Sequence, residues 1–197
     1  TVMNGTTSVT SPNTGLAAGT YTVTATDANG CVKTQTAVIN AAPTQVAILL
    51  TPTQPLCFGQ TGSVTFITSG GTGVKTVKNG TTTVTSPVSG LSAGTYTFTV
   101  TDANGCSTTE TVTINGAPSQ IVLSLTPAQI LCNGSTGSIS FTTSGGTGAI
   151  TVKNGTTAVT SPVIGLTAGT YTFTATDANG CTRTSTAVIS VAPSAVA

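Results

Sequence analysis

Five cysteines, at positions 31, 57, 106, 132 and 181, are the side chains of this 197-residue chain whose type and spacing suggest covalent chemistry. Cys31, Cys106 and Cys181 each close the same pentapeptide, Asp-Ala-Asn-Gly-Cys, at 27–31, 102–106 and 177–181. Cys57 and Cys132 are separated by the same 75 residues that separate those pentapeptides. Thiols in such a frame can pair as disulfides, bind zinc, or stay free for a bond to another chain. Proton-transfer and hydrolytic chemistry lack their parts. The chain has no His and four acidic side chains, a single Asp recurring per repeat plus Glu110. No acid/base pair, catalytic triad or zinc set can be assembled from these. The many Ser and Thr hydroxyls have no base to activate them, so the chain is expected not to be an enzyme.

The elements that must position the cysteines follow from composition. Roughly a quarter of the residues are Thr and Gly is plentiful, a mixture that favours strands and turns over long helices. An all-β chain is expected. A formal net charge of +1 offers no electrostatic footprint for nucleic acid or an anionic membrane. The longest apolar run, Val46–Leu50, is strand-sized, so no membrane-spanning segment is expected. The opening residues lack a basic segment followed by an apolar one. Either a signal peptide has been removed or the sequence is an internal fragment, and the repeat favours the second.

That repeat organises the whole chain. Asn-Gly-Thr-Thr begins at 4, 79 and 154, and the Tyr of Ala-Gly-Thr-Tyr falls at 21, 96 and 171, always 75 residues apart. Roughly two-thirds of the residues in 46–120 recur in 121–195 without a gap. The expected domains are the C-terminal part of a truncated repeat at 1–45 and full repeats at 46–120 and 121–195. In this frame the odd cysteine count reflects a partner for Cys31 that lies outside the sequence.

Within one repeat, Tyr96, Phe98 and Val100 alternate with Thr95, Thr97 and Thr99, the period of a strand with one buried face. The stretches 62–68 and 109–114 alternate more weakly. The stretch 74–85 reads as two strands joined by a type I′ turn at Asn79-Gly80. Gln45–Pro52 and its counterpart at 120–127 read as entering strands. About seven short strands per repeat with regular turn signals predict tandem Ig-like Greek-key β-sandwiches of 75 residues.

The Asp-Ala-Asn-Gly sequence reads as the turn between the last two strands. Asp102 and Asp177 bond the amides that follow, Asn104 and Asn179 occupy the late turn position, and Gly105 and Gly180 adopt positive φ. Calcium is the alternative use, but one carboxylate per repeat is short of the several such a site needs, and no cofactor is expected. Tyr21, Tyr96 and Tyr171, each at the start of the penultimate strand, are either tyrosine corners or simple inward aromatics. Outward Thr rows are either ordinary strand surface or a hydroxyl array for glycan or ice.

A 75-residue sandwich with few aromatics has thin stability, so the cysteines are expected to be paired in an oxidising compartment. Two pairings fit the period. Bonds within repeats would join Cys57 to Cys106 and Cys132 to Cys181; bonds between repeats would join Cys31 to Cys57 and Cys106 to Cys132. Tandem sandwiches run end to end, and on that ground pairing within repeats is expected.

The combination of Leu131–Gly148 with Gly165–Cys181, recurring in order along essentially the whole chain, resembles the SprB-type repeat of Bacteroidetes gliding and cell-surface adhesins. The chain departs from that pattern at 74–80 and 149–155, where the family usually has an aromatic strand ending in Trp. The resemblance implies a very long cell-surface protein, exported by type IX secretion, whose Ig-like and PKD-like repeats form a stalk for gliding motility or attachment.

The expected role is therefore a stalk or filament segment at the cell surface, each repeat adding about 30 to 40 Å of rigid length. Its partners would be neighbouring repeats of the same chain, with other surface filaments or glycans as further ones, and neither nucleic acid nor a membrane span. Two other readings fit the same residues. One is a multivalent glycan-, ice- or surface-binding array. The other is an extracellular subunit polymerised by strand donation.

Overall fold

The computed structural model describes residues 1–192, and all of its regular secondary structure is β-strand. Residues 193–195, placed above in the last repeat, lie outside the described residues. Residues 1–45 hold β1 (Val2–Asn4), β2 (Thr7–Ser8), β3 (Gly19–Thr26) and β4 (Val32–Ile39). The next holds β5 (Ala47–Thr53), β6 (Gly62–Ser69), β7 (Thr76–Asn79), β8 (Thr82–Thr83), β9 (Val88–Leu91), β10 (Gly94–Thr101) and β11 (Ser107–Ile114). The last holds β12 (Val122–Ala128), β13 (Gly137–Ser144), β14 (Thr151–Asn154), β15 (Thr157–Val159), β16 (Val163–Leu166), β17 (Gly169–Thr176) and β18 (Thr182–Ile189).

The last repeat shows how the pattern makes the fold. Its strands form two antiparallel sheets, in the orders β12-β13-β16 and β15-β14-β17-β18. Hairpins stay within a sheet, whereas the chain changes sheets after β13, β15 and β16. This interleaving is an Ig-like Greek-key sandwich. Alternation decides which side chains go inside: on β17, Phe173 and Ala175 are fully buried while Thr170 and Thr172 are exposed. The core joins Leu123, Ile139 and Leu166 of one sheet to Val152, Phe173, Ala175, Ala187 and Ile189 of the other. Phe141 packs tilted on Phe173, ring centroids 6.1 Å apart, a geometry aromatic pairs favour. Truncating Phe173 to Ala would cost about 3–5 kcal/mol.

The stretch 46–120 repeats the strand orders as β5-β6-β9 and β8-β7-β10-β11. Phe66 and Phe98 reproduce the tilted aromatic pair at 6.0 Å. By density of contacts the chain falls into two compact units. One comprises Thr1–Ala47, Thr68–Thr76 and Val100–Thr108; the other comprises Ile48–Ile67, Val77–Thr99 and the chain from Thr109 onward. The strand order follows the 75-residue frame, and the division into units cuts across it.

In the first unit, β1 to β4 form a sheet in the order β2-β1-β3-β4, with β3 and β4 paired over eight residues. Residues 1–45 contain no counterparts of β12 and β13. Ile39, which corresponds to the buried Ile189, is accordingly 37 % exposed.

The short hairpin differs from expectation in one respect. Asn79 pairs with Thr82, so the two linking residues are Gly80 and Thr81, with Gly80 at φ +57° and no positive φ outside glycine among the described residues. Positive φ at the first linking residue alone is the II′ pattern, so Asn79 is the last residue of β7. Asn154 and Asn4 are paired in the same way. The Ser-Pro peptides at 11–12, 86–87 and 161–162 are cis.

Candidate functional site

The Asp-Ala-Asn-Gly-Cys turn is built around its carboxylate. Asp177 accepts the amides of Asn179 and Cys181 on Oδ1, both at 2.9 Å, and that of Thr147 on Oδ2 at 2.9 Å. The Gly180 amide donates to the Asp177 carbonyl at 3.1 Å, and Gly180 has φ +82°. Burial pushes the Asp177 carboxyl up, but the amides of Thr147, Cys181, Asn179 and Gly180 outweigh it and hold it below the usual Asp range. Asp102 is arranged alike: its Oδ1 accepts Asn104 and Cys106, and its Oδ2 accepts Thr72 at 2.8 Å. The Thr72 amide is the largest cause of its lowered pKa; burial opposes it, and Cys106, Asn104 and the Lys75 charge add to it. Asp27 keeps the Asn29 and Cys31 bonds, both at 2.9 Å, but is exposed. Because amides bond both oxygens of Asp102 and Asp177, these carboxylates organise the turn.

The partner of the buried carboxylate is a segment that sequence reasoning missed. Gly145, Gly146 and Thr147 bring the Thr147 amide onto Asp177, and the Ala178 amide returns a bond to the Thr147 carbonyl at 3.0 Å. Gly145 and Gly146 have φ +74° and +66°, and a Cβ on Gly145 would overlap the Gln120 carbonyl. The signal was present as Gly-Gly-Thr-Gly at 70–73 and 145–148, always the same distance before the Asp.

Each repeated tyrosine donates its hydroxyl to the carbonyl four residues back. Tyr21 reaches Ala17 at 2.8 Å, Tyr96 reaches Ser92 at 2.9 Å and Tyr171 reaches Thr167 at 2.9 Å. This is the bonding of a tyrosine corner. The outward threonines pair across strands, Thr95 with Thr113 at 3.2 Å and Thr99 with Thr109 at 3.1 Å. Such cross-strand pairs help hold the sheet.

The cysteines are paired differently from expectation. Cys57 is bonded to Cys181, with Cα atoms 5.6 Å apart and a sequence separation of 124. Cys57 is therefore not joined to Cys106, nor Cys132 to Cys181; Cys31, Cys106 and Cys132 are exposed free thiols. The reason is which end of the sandwich each occupies. Cys132 lies in the loop between the end of β12 and the start of β13, whereas the turn bearing Cys181 is clamped to Thr147, beyond the far end of β13. An eight-residue strand separates these ends by about 25 Å, well beyond the 7 Å Cα limit of a disulfide. The alternative of Cys106 with Cys132 fails to form as well: the bond that exists runs from the first loop of one repeat to the last turn of the next. Asn179 supports it, its side-chain amide donating to the Leu56 carbonyl at 3.1 Å. Phe58, Gln120, Ile121 and Asp177 line a pocket of about 150 Å³ beside the bond.

No family model matches the chain. No curated protein matches it either. Among solved structures, extracellular domains 3–5 of Drosophila OTK are similar, at 15 % identity and a TM-score of 0.43, covering 90 % of this chain and 72 % of that one. The fold assignment rests on the strand orders and the two-sheet core. No helix among the described residues is long and apolar enough to cross a membrane.

Proposed function

We propose that this chain is a load-bearing segment of an extracellular stalk or filament, in which Ig-like sandwiches are locked to one another covalently. The observation that carries this reading is the Cys57–Cys181 bond, which joins residue frames 46–120 and 121–195. A bond across a repeat junction limits bending and slippage between neighbours, beyond what a short connecting peptide achieves. Its presence fits an oxidising compartment, outside the cell or at its surface. The work of such a segment is mechanical and not enzymatic. The resemblance to SprB-type repeats supports the finer reading, a cell-surface adhesin exported by type IX secretion and serving gliding or attachment.

The test is location. Antibodies raised against 121–192 and applied to intact source cells should label the surface, and the label should disappear after brief proteolytic shaving. Labelling that appears only after permeabilisation overturns the proposal.

A further inference from the structure

We infer that the loop Leu131–Ser135 is a vacant docking site for an Asp-Ala-Asn-Gly-Cys turn of a second copy of this chain, joined through Cys132. The argument comes from the same site elsewhere in the molecule, where it is filled. The loop carrying Cys57 closes with the Gln60 amide donating to the Cys57 carbonyl at 3.1 Å, and Gly59 has φ +78°. The loop carrying Cys132 closes with the same backbone bond, the Ser135 amide on the Cys132 carbonyl at 3.1 Å, and has Gly134 at φ +83°; the Gln60 side chain, which also accepts the Leu56 and Cys57 amides in the filled loop, is replaced by Ser135. At the filled loop, Leu56 offers its carbonyl to Asn179 and Cys57 takes Cys181. At the vacant one, Leu131 is 81 % exposed and Cys132 is a free exposed thiol.

The group that fits the vacancy is also present, twice, and unused. The turns ending in Cys31 and Cys106 have the residues of the docked turn, its carboxylate-to-amide bonds at positions two and four, and its glycine at φ +86° and +84° against +82°. Both cysteines are free and exposed. Asn29 or Asn104 would take the place of Asn179 and donate to the Leu131 carbonyl. The reaction is thiol–disulfide exchange: Cys132 and the incoming cysteine give up two protons and two electrons, forming one S–S bond. A small-molecule disulfide accepts them and is reduced to two thiols. The inference goes beyond the stalk reading and does not depend on where the protein is located.

The purified chain with its native bond intact, incubated with oxidised glutathione, should form disulfide-linked oligomers. Peptide mapping without reduction should recover Cys132 joined to Cys31 or Cys106. Cys132→Ser should lose these oligomers, and so should the double variant Cys31→Ser/Cys106→Ser. Both should retain the Cys57–Cys181 peptide and an unchanged melting temperature, which separates loss of docking from loss of fold. Oligomers held by Cys132 to Cys132, or oligomers that persist in Cys132→Ser, overturn the inference, as does a chain that stays monomeric under oxidation.

Discussion

Pulling on the two ends of the chain offers a direct reading of the Cys57–Cys181 bond. With the bond intact, the loop between the two cysteines, a sequence separation of 124, is shielded from force, and the chain can lengthen only through its remaining residues. Reduction, or the double variant Cys57→Ser/Cys181→Ser, exposes that loop. At 3.3–3.6 Å per extended residue it releases about 410 to 450 Å of contour, less the 5.6 Å already spanned between the Cα atoms. Bonds within repeats would each span a sequence separation of 49 and release about 160 to 180 Å apiece. Single-molecule force spectroscopy with handles at Thr1 and Ala197, with and without a reductant, separates these lengths easily. Two increments near 170 Å would show that the bonds lie within repeats, and no change on reduction would show that the cysteines bear no load; either refutes the reasoning. In the chain-entropy model a loop of 124 residues also stabilises the folded state by up to about 5 kcal/mol, so reduction should lower the melting temperature.

Four further outcomes follow from the turn, its clamp and the tyrosine corner. Asp177→Asn should lower the thermal midpoint more than Asp27→Asn, because Asp177 is buried and holds a third amide, that of Thr147; equal effects would deny the clamp its role. The carboxyls of Asp102 and Asp177 are held below the ordinary Asp range in the folded state, so the unfolded chain binds more protons. Their contribution is present above the ordinary Asp range and lost as pH falls through the folded values; a melting temperature that stays level from pH 5 to pH 2 contradicts this. Gly145→Ala combines positive φ with overlap on the Gln120 carbonyl and should cost about 3 kcal/mol or more, whereas Gly180→Ala, at φ +82° with open space, should cost about 1–2 kcal/mol in chemical denaturation. Tyr171→Phe removes only the hydroxyl bond to Thr167 and should cost about 0.5–1.5 kcal/mol by the same assay; a neutral result would make the hydroxyl incidental.

The 75-residue frame, the strands and the turn chemistry were legible because each rests on local rules. Alternation of Phe173 and Ala175 with Thr172 and Thr174 decides which face is buried whatever the strand packs against. Asp177 reaches Asn179 and Cys181 over two and four residues, a span that spacing alone reveals. The third bond, from Thr147, comes from 30 residues away, and recognising it required knowing that the end of β13 and the turn after β17 meet at one end of the sandwich.

The cysteines mark the same boundary. Composition and period determined that this is an all-β tandem repeat with one cysteine in the first loop and one in the last turn of each full unit. They did not determine the pairing, because the period is equally compatible with bonds inside a repeat and across a junction. Tertiary structure decided it. The strands place the two cysteines of one repeat at opposite ends, about 25 Å apart, while the fold brings the first loop of one repeat to the last turn of the next. Local chemistry shapes each turn in advance, but which thiol a turn meets depends on the length and direction of every strand between them.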